Sequence, residues 1–200
     1  MKKYDNSSIS ALKGADRVRK RPAVIFGSDG VEGCEHSMFE ILSNSIDEAR
    51  EGFGSTITVT RYADMSIEVE DFGRGIPVDY NEKEKRYNWE LVFCELYAGG
   101  KYNNNDGGDY EYSLGLNGLG ACATQYSSEY MDVEILRDGF KFNLHFEHGK
   151  NVGGLEKIEF RHRHTGTRIH WKPDLKVFTS IDIPVENYHS VLKRQAVVNS

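Results

Sequence analysis

Three stretches of the sequence carry residue types that could handle a phosphorylated ligand. His36, Glu40, Asn44 and Asp47 recur at spacings of four, four and three, which on a helix gathers them within about 80° of one another as a single polar face. Asp71-Phe72-Gly73-Arg74-Gly75-Ile76-Pro77 sets a carboxylate at the end of an alternating run, followed by glycines where a ligand or another backbone can come close. Leu114-Gly115-Leu116-Asn117-Gly118-Leu119-Gly120-Ala121 places glycines just before an apolar helical run, whose free N–H groups and dipole would receive phosphate. Each stretch has a plainer explanation when read alone: a solvated helix face, a tight turn, a flexible loop. Thr165-Gly166-Thr167, at the start of a late strand, is by itself just a turn.

Other devices are absent. The P-loop pattern fails because Gly100-Lys101 has Glu95 where the first glycine belongs, and neither G-x-S-x-G nor H-E-x-x-H occurs. Cys34, Cys94 and Cys122 are far apart with no C-x-x-C spacing, so they read as reduced core thiols and not as a zinc site or disulfide framework. A formal charge of −6 argues against a stretch that holds nucleic acid through phosphate contacts. The basic run Arg161, His162, Arg163, His164 with Arg168 reads as a solvated rim. No apolar run approaches a membrane span and the first residues lack a secretory signal, so a soluble, cytoplasmic protein with no membrane partner is expected.

The elements that must position these residues follow from periodicity. A short helix over 14–20 should stop at Arg21-Pro22, and 36–51 is predicted helical, with Met38, Phe39, Ile41, Leu42, Ile46 and Ala49 on one side. Residues 57–60 and 66–70 alternate as an antiparallel strand pair. A helix through Trp89, Leu91, Val92 and Leu96 precedes a long glycine- and asparagine-rich segment, 99–120, of the kind that carries function inside a compact domain. The last third reads as a meander of strands over 130–136, 140–146, 155–160 and 167–171, with Asp138-Gly139 as the clearest hairpin turn, before a helix from Val185 onward. The opening residues 1–14 form a polar arm and 15–200 one domain.

In chain order, Glu40-x-x-x-Asn44-x-x-Asp47-Glu48-Ala49, Asp71-x-Gly73-x-Gly75, Gly115-x-x-Gly118-x-Gly120 and Thr167 together resemble the GHKL ATPases. Within them, Arg19-Lys20-Arg21-Pro22, Asn44-Ser45-Ile46-Asp47-Glu48-Ala49, Gly73-Arg74-Gly75-Ile76-Pro77, Ala98-Gly99-Gly100-Lys101-Tyr102 and Thr165-Gly166-Thr167 are similar to the ATPase subunits of bacterial type II topoisomerases, gyrase and topoisomerase IV. The resemblance covers nearly the whole chain. It implies the Bergerat fold, an α/β two-layer sandwich with a mixed, mainly antiparallel sheet and helices on one face.

The resemblance also assigns roles. Glu40 becomes the general base for the attacking water, His36 its support, and Asn44 a ligand of Mg2+. Asp71 accepts the adenine amino group of ATP, Gly75 leaves room for the ring, Thr167 shares a water with Asp71, and Arg74, Pro77 and Arg137 sit at the pocket mouth. Lys101 and the backbone of Leu116, Asn117, Gly118, Leu119 and Gly120 surround the phosphates, Tyr110 covers the ribose, and 99–120 closes as a lid. Tyr4 and Ile9 match the arm that crosses to a second copy in an ATP-bound homodimer clamped on double-stranded DNA, with cleavage left to a DNA-cleaving partner, gyrase A or its topoisomerase IV counterpart. Three departures stand out: Ala23-Val24-Ile25-Phe26 where the family has Gly-Met-Tyr-Ile, Leu114 for a lid glycine, and Asn117 for its histidine. Family members continue into a second domain whose lysine reaches the γ-phosphate, so these residues alone are expected to bind ATP and turn it over slowly. The rival reading is a topoisomerase-like module that senses nucleotide without useful turnover.

Overall fold

The apolar stripe read over 36–51 belongs to a longer helix. In the computed structural model, which describes residues 12–98, 119–161 and 163–199, α3 runs Val31–Arg50. It begins five residues earlier than periodicity indicates because Gly33, a poor helix former, is there for space: a Cβ on it would stand 2.0 Å from the Ser28 carbonyl oxygen. Ahead of it lie α1 (Asp16–Arg19) and α2 (Pro22–Phe26). Pro22 ends the first helix, as expected, and also opens the second from the N1 position, where its missing N–H matters least. Gly27 then closes α2 in the left-handed conformation, φ 78°.

The strands are β1 (Ile57–Arg61), β2 (Ile67–Asp71), β3 (Tyr80–Asn81), β4 (Arg86–Tyr87), β5 (Ser128–Arg137), β6 (Phe140–Glu147), β7 (Lys150–Glu159) and β8 (Gly166–Pro173). The remaining helices are α4 (Asn88–Cys94), α5 (Gly120–Tyr126) and α6 (Val185–Val198). The main sheet has the order β1-β2-β8-β5-β6-β7, and β3 and β4 form a separate pair. The expected mainly antiparallel sheet is present, and every pairing between described strands is antiparallel.

Besides the earlier starts of α3 at Val31 and of β7 at Lys150, two features of the strand arrangement differ from the sequence reading. The last four long strands are not a simple meander: β5, β6 and β7 follow one another, but β8 returns to insert between β2 and β5. That return aligns Glu70 with Arg168 and Val69 with Ile169, carrying Thr167 beside the end of β2. The second difference is the short β3–β4 pair, whose Tyr80 and Tyr87 rings meet edge-on at 5.3 Å. Its charged sequence and two-residue strands leave no period to read.

Both turns of the β5–β6–β7 run place two successive residues at positive φ, Asp138-Gly139 and His148-Gly149, the geometry that matches strand twist. Alternation along the strands divides the sheet. Ile67, Val69, Met131, Val133, Ile135, Leu144, Phe146, Ile169 and Trp171 are buried with Met38, Ile41, Leu42 and Ile46 of α3. The opposite face is polar, with Arg168 between Glu68 at 3.8 Å and Glu134 at 3.4 Å. Cys34 and Cys122 are buried, and all three cysteines are free thiols; burial pushes the Cys34 thiol up to about 12.

Among the described residues two buried side chains, the Trp171 indole N–H and the Gln125 amide, lack a hydrogen-bond partner, and the amide is the more polar of the two. Gln125 of α5 is 1 % exposed, and among the described residues both its amide nitrogen and its oxygen lack a hydrogen-bond partner. Desolvating such a group without a bond costs about 1–3 kcal/mol. Methionine has a similar shape and similar helix propensity, so Gln125→Met should raise the unfolding free energy by about 1 kcal/mol or more. Urea titration followed by circular dichroism checks this, and an unchanged or lower midpoint would count against it.

Candidate functional site

The four polar residues of the opening stripe all lie on α3, with His36 and Glu40 one turn apart. The His36 ring is held at both nitrogens: Nδ1 is 3.1 Å from the Phe26 carbonyl oxygen and Nε2 is 3.1 Å from Glu40 Oε1. Both partners accept, so the doubly protonated ring satisfies both. The bond to Glu40 raises the His36 pKa above its ordinary value, with the Phe26 carbonyl adding to it and partial burial opposing it. The His36 ring thus orients one carboxylate oxygen of a half-buried Glu40 and leaves the other to its surroundings.

What lies against that second oxygen is α5. A Cβ on Gly120 would stand 2.3 Å from Glu40 Oε2 and 2.9 Å from its Cβ, so only glycine lets the helix start this close. Thr124 Oγ1 donates to the Ser37 carbonyl at 3.0 Å and fastens α5 to α3 one turn further along. Asn44 is half-buried on the Glu40 face, and among the described residues its amide makes no hydrogen bond. Asp47 is buried.

The second cluster forms where β2 ends. Asp71 is 9 % exposed. Its Oδ1 accepts the Gly73 N–H at 3.0 Å and the Thr167 N–H at 3.2 Å, and its Oδ2 accepts the Ser45 hydroxyl at 2.9 Å. Burial raises its pKa, and the bonds from Gly73, Ser45 and Thr167 partly offset the rise. A carboxylate offers about four lone-pair positions, so one position, on Oδ2, remains for a donor. Thr167 Oγ1 accepts the Ile76 N–H at 3.2 Å, and Thr165 Oγ1 donates to the Gly73 carbonyl. The 71–77 turn is thereby stitched to the start of β8. Gly75 sits at φ 76°, with the position of a missing Cβ 3.0 Å from the Leu136 carbonyl oxygen, and Arg137 Nη1 donates to the Gly75 carbonyl at 2.9 Å.

Ser45 joins the two clusters. It follows Asn44 on α3, and the five residues from Glu40 to Ser45 span about 7.5 Å of helix axis, so the Glu40 carboxylate and the Asp71 carboxylate are carried on one rigid ruler. At the rim, Arg74 is forked onto Glu48 through Nε at 3.0 Å and Nη2 at 2.8 Å, pairs with Glu51, and lies 4.0 Å over the Phe53 ring. Pro77 is exposed beside it. Residue type and spacing do not single out Ser45, Glu48 or Phe53 for the site. Ser45 is detectable in principle as a hydroxyl on an otherwise apolar helix side, whereas the partners of Arg74 depend on the turn geometry.

Leu119 and Gly120 are described, Leu119 as the residue that caps α5. Lys101, Tyr110, Leu114, Leu116, Asn117 and Gly118 lie outside the described residues, as do Tyr4 and Ile9 of the arm. The basic run behaves as a rim: Arg161, Arg163 and His164 are exposed, and the His164 ring packs edge-on against Phe72 at 5.1 Å. Among the described residues no group of three metal-ligating side chains comes together, and no helix is long and apolar enough to cross a membrane.

Comparison with known proteins gives a consistent result. The DNA gyrase B protein of Thermotoga maritima is 41% identical over 182 residues, covering 91% of this chain and 28% of that protein. Its counterpart in Streptococcus pyogenes serotype M1 is 44% identical over 179 residues, 90% of this chain and 27% of the relative. The chain therefore spans under a third of the length of these curated relatives. Among solved structures, the 43K ATPase domain of Thermus thermophilus gyrase B, in complex with an aminocoumarin, superposes with a TM-score of 0.78 at 32% identity, over 94% of this chain and 47% of that one. The model of the histidine kinase-, DNA gyrase B- and HSP90-like ATPases matches residues 31–177, from the first residue of α3 to beyond β8. With Glu40, Asp71 and Thr167 inside that span, the chain belongs to the histidine kinase-, DNA gyrase B- and HSP90-like ATPase family.

Proposed function

We propose that this chain binds and hydrolyses ATP as the ATPase domain of a type II DNA topoisomerase of the gyrase B kind. The observation that carries the reading is the pairing, along one helix, of an oriented carboxylate (Glu40, held by His36) with a buried one (Asp71, held by Ser45). The remaining acceptor position of Asp71 suits the amino group of adenine, and Gly75, whose missing Cβ would crowd the Leu136 carbonyl oxygen at 3.0 Å, lets the 71–77 turn fold in beside it. Phosphoryl transfer to water needs positioning and charge stabilisation more than a strong nucleophile, and Glu40 is placed to orient the water and take its proton.

Asn44, one turn beyond Glu40 with an amide that makes no hydrogen bond to a described residue, fits a hard cation that prefers oxygen ligands and keeps several waters. Mg2+ held there would offset the negative charge of the phosphates. Arg74, Pro77 and Arg137 border the adenine end; Lys101, Tyr110 and the backbone of 116–120 complete the site as a lid over ribose and phosphates. In the parent protein the arm, residues 1–14 with Tyr4 and Ile9, joins two copies when ATP binds. That clamp acts on double-stranded DNA with a DNA-cleaving partner protein, in the cytoplasm.

Two substitutions test separate parts of this reading. Glu40→Gln keeps the shape and removes the base, so ATP turnover should fall about 10²–10⁴-fold while a non-hydrolysable analogue binds within a few-fold of the unaltered protein. Turnover that survives would favour a nucleotide sensor without catalysis. Asp71→Asn retains an oxygen for Gly73 and Thr167 but turns a donor toward adenine. Loss of a hydrogen bond to a charged group is worth about 1.5–3 kcal/mol, so calorimetric affinity for ATP should drop roughly 10–100-fold. A buried Asp with a raised pKa loses stabilising contribution as pH rises through its titration, so the same variant should match or exceed the parent in thermal stability at pH 7. Undiminished affinity would remove Asp71 from the adenine site.

A further inference from the structure

We infer that Arg19 is a positioning residue for hydrolysis, acting on Glu40 through α5; the inference rests on the reading of Glu40 as the base. Arg19, the last residue of α1, is only 16 % exposed at its side chain. Its guanidinium makes three contacts from one rigid fork. Nη2 meets Asp174 Oδ2 at 2.5 Å, and Nη1 donates to the Tyr126 carbonyl at 3.0 Å and the Ser128 carbonyl at 3.3 Å. Tyr126 is the last residue of α5. A cation bonded to that carbonyl meets the negative end of the helix dipole and one of its unpaired acceptors.

The anchor for this cap is fixed from several sides. Asp174 is 3 % exposed, and besides Arg19 it accepts the Lys176 N–H at 2.8 Å and lies 3.0 Å from His148 Nδ1. Burial alone would raise its pKa, but the bonds from Arg19, Lys176 and His148 prevail and hold it below the ordinary carboxylate value. Its own N–H donates to the Ser127 carbonyl at 3.0 Å, one residue past α5. A missing Cβ on Gly149 would be 2.5 Å from Ala15 Cβ, so the β6–β7 turn closes on the start of α1 from the other side.

The opposite end of α5 is Gly120, pressed against Glu40. Seven residues of helix, about 10 Å, therefore connect the Arg19 cap to the carboxylate. Residues 121–126 are all buried, so the helix has no room to tilt without displacing one end or the other. Lengthening or shifting the cap moves Gly120 relative to Glu40 Oε2, which changes where the attacking water can stand. A loss of about 1 Å in such alignment is felt in the chemical step before it is felt in binding.

The test is steady-state ATP turnover and analogue binding in the full natural chain that carries this domain. Arg19→Gln should lower kcat about tenfold, with KM for ATP and the Kd of a non-hydrolysable analogue within twofold. Arg19→Lys, whose compact ammonium keeps three donors but loses the spread of the guanidinium fork, should fall between the parent and Arg19→Gln. Leu192→Ala, which truncates a partly buried side chain of α6 packed against the core, supplies a destabilised control expected to keep kcat at a temperature where it stays folded. An Arg19→Gln kcat equal to the parent's overturns the role. A kcat loss no larger than that of Leu192→Ala at matched stability, or an equal loss of kcat and affinity, overturns it as well. Glu40→Gln measured alongside separates the two readings: if it retains turnover, the assignment of the base fails, and if it loses turnover while Arg19→Gln does not, only the positioning role fails.

Discussion

A carboxylate with 9 % exposure must find donors or remain protonated, and the way Asp71 meets that demand organises the domain. Its donors come from three places distant in sequence: Ser45 on α3, Gly73 in the turn after β2, and Thr167 at the start of β8. Each bond fixes one element against another. The helix that carries Glu40 is drawn onto the sheet, the glycine turn is bent back over the strand end, and β8 is set in the slot between β2 and β5. Removing the charge would relieve its desolvation, but the acceptor that fits an amino donor would go with it. The site is thus placed where the fold tolerates an energetic penalty because three backbone segments share it.

Glycine supplies the complementary constraint of distance. Gly120 lets a helix start against Glu40, and Gly166 lets β8 run beside Asp71, where a Cβ would stand 2.1 Å from the Asp71 carbonyl oxygen. Both are contacts between elements, not turns. This separates them from Gly139, whose missing Cβ would meet nothing nearby and which serves the hairpin by its positive φ.

Local pattern carries most of what the sequence reveals. The polar face of α3, the strand pair of β1 and β2, the Asp138-Gly139 hairpin and the glycine box beginning at Asp71 are periodicities or turn signatures, so their residues announce themselves. Pairings made at long range are not legible in this way. That β8 leaves the meander and lies between β2 and β5 is decided by the burial of Ile169 and Trp171 against the α3 side, and nothing in residues 166–173 specifies the neighbour. Ser45 as the Asp71 donor, and the Arg19–Asp174 cap whose partners are 155 positions apart, are hidden for the same reason. The start of α3 around Gly33 escapes periodicity because a propensity-poor residue is needed there for space.

Among the described residues the sheet ends in two border strands, β1 and β7, and an unpaired border strand is a template on which a second molecule can polymerise. β7 carries several obstacles to that. Its pairing with β6 slips between Asn143 and His145, Gly153 and Gly154 both bend to positive φ inside the strand, and Lys150, Lys157 and Glu159 put charge along it. A bulged, charged border twists away from flat stacking. The long strand that contributes least to the core is also the one that keeps concentrated molecules from zipping together edge to edge.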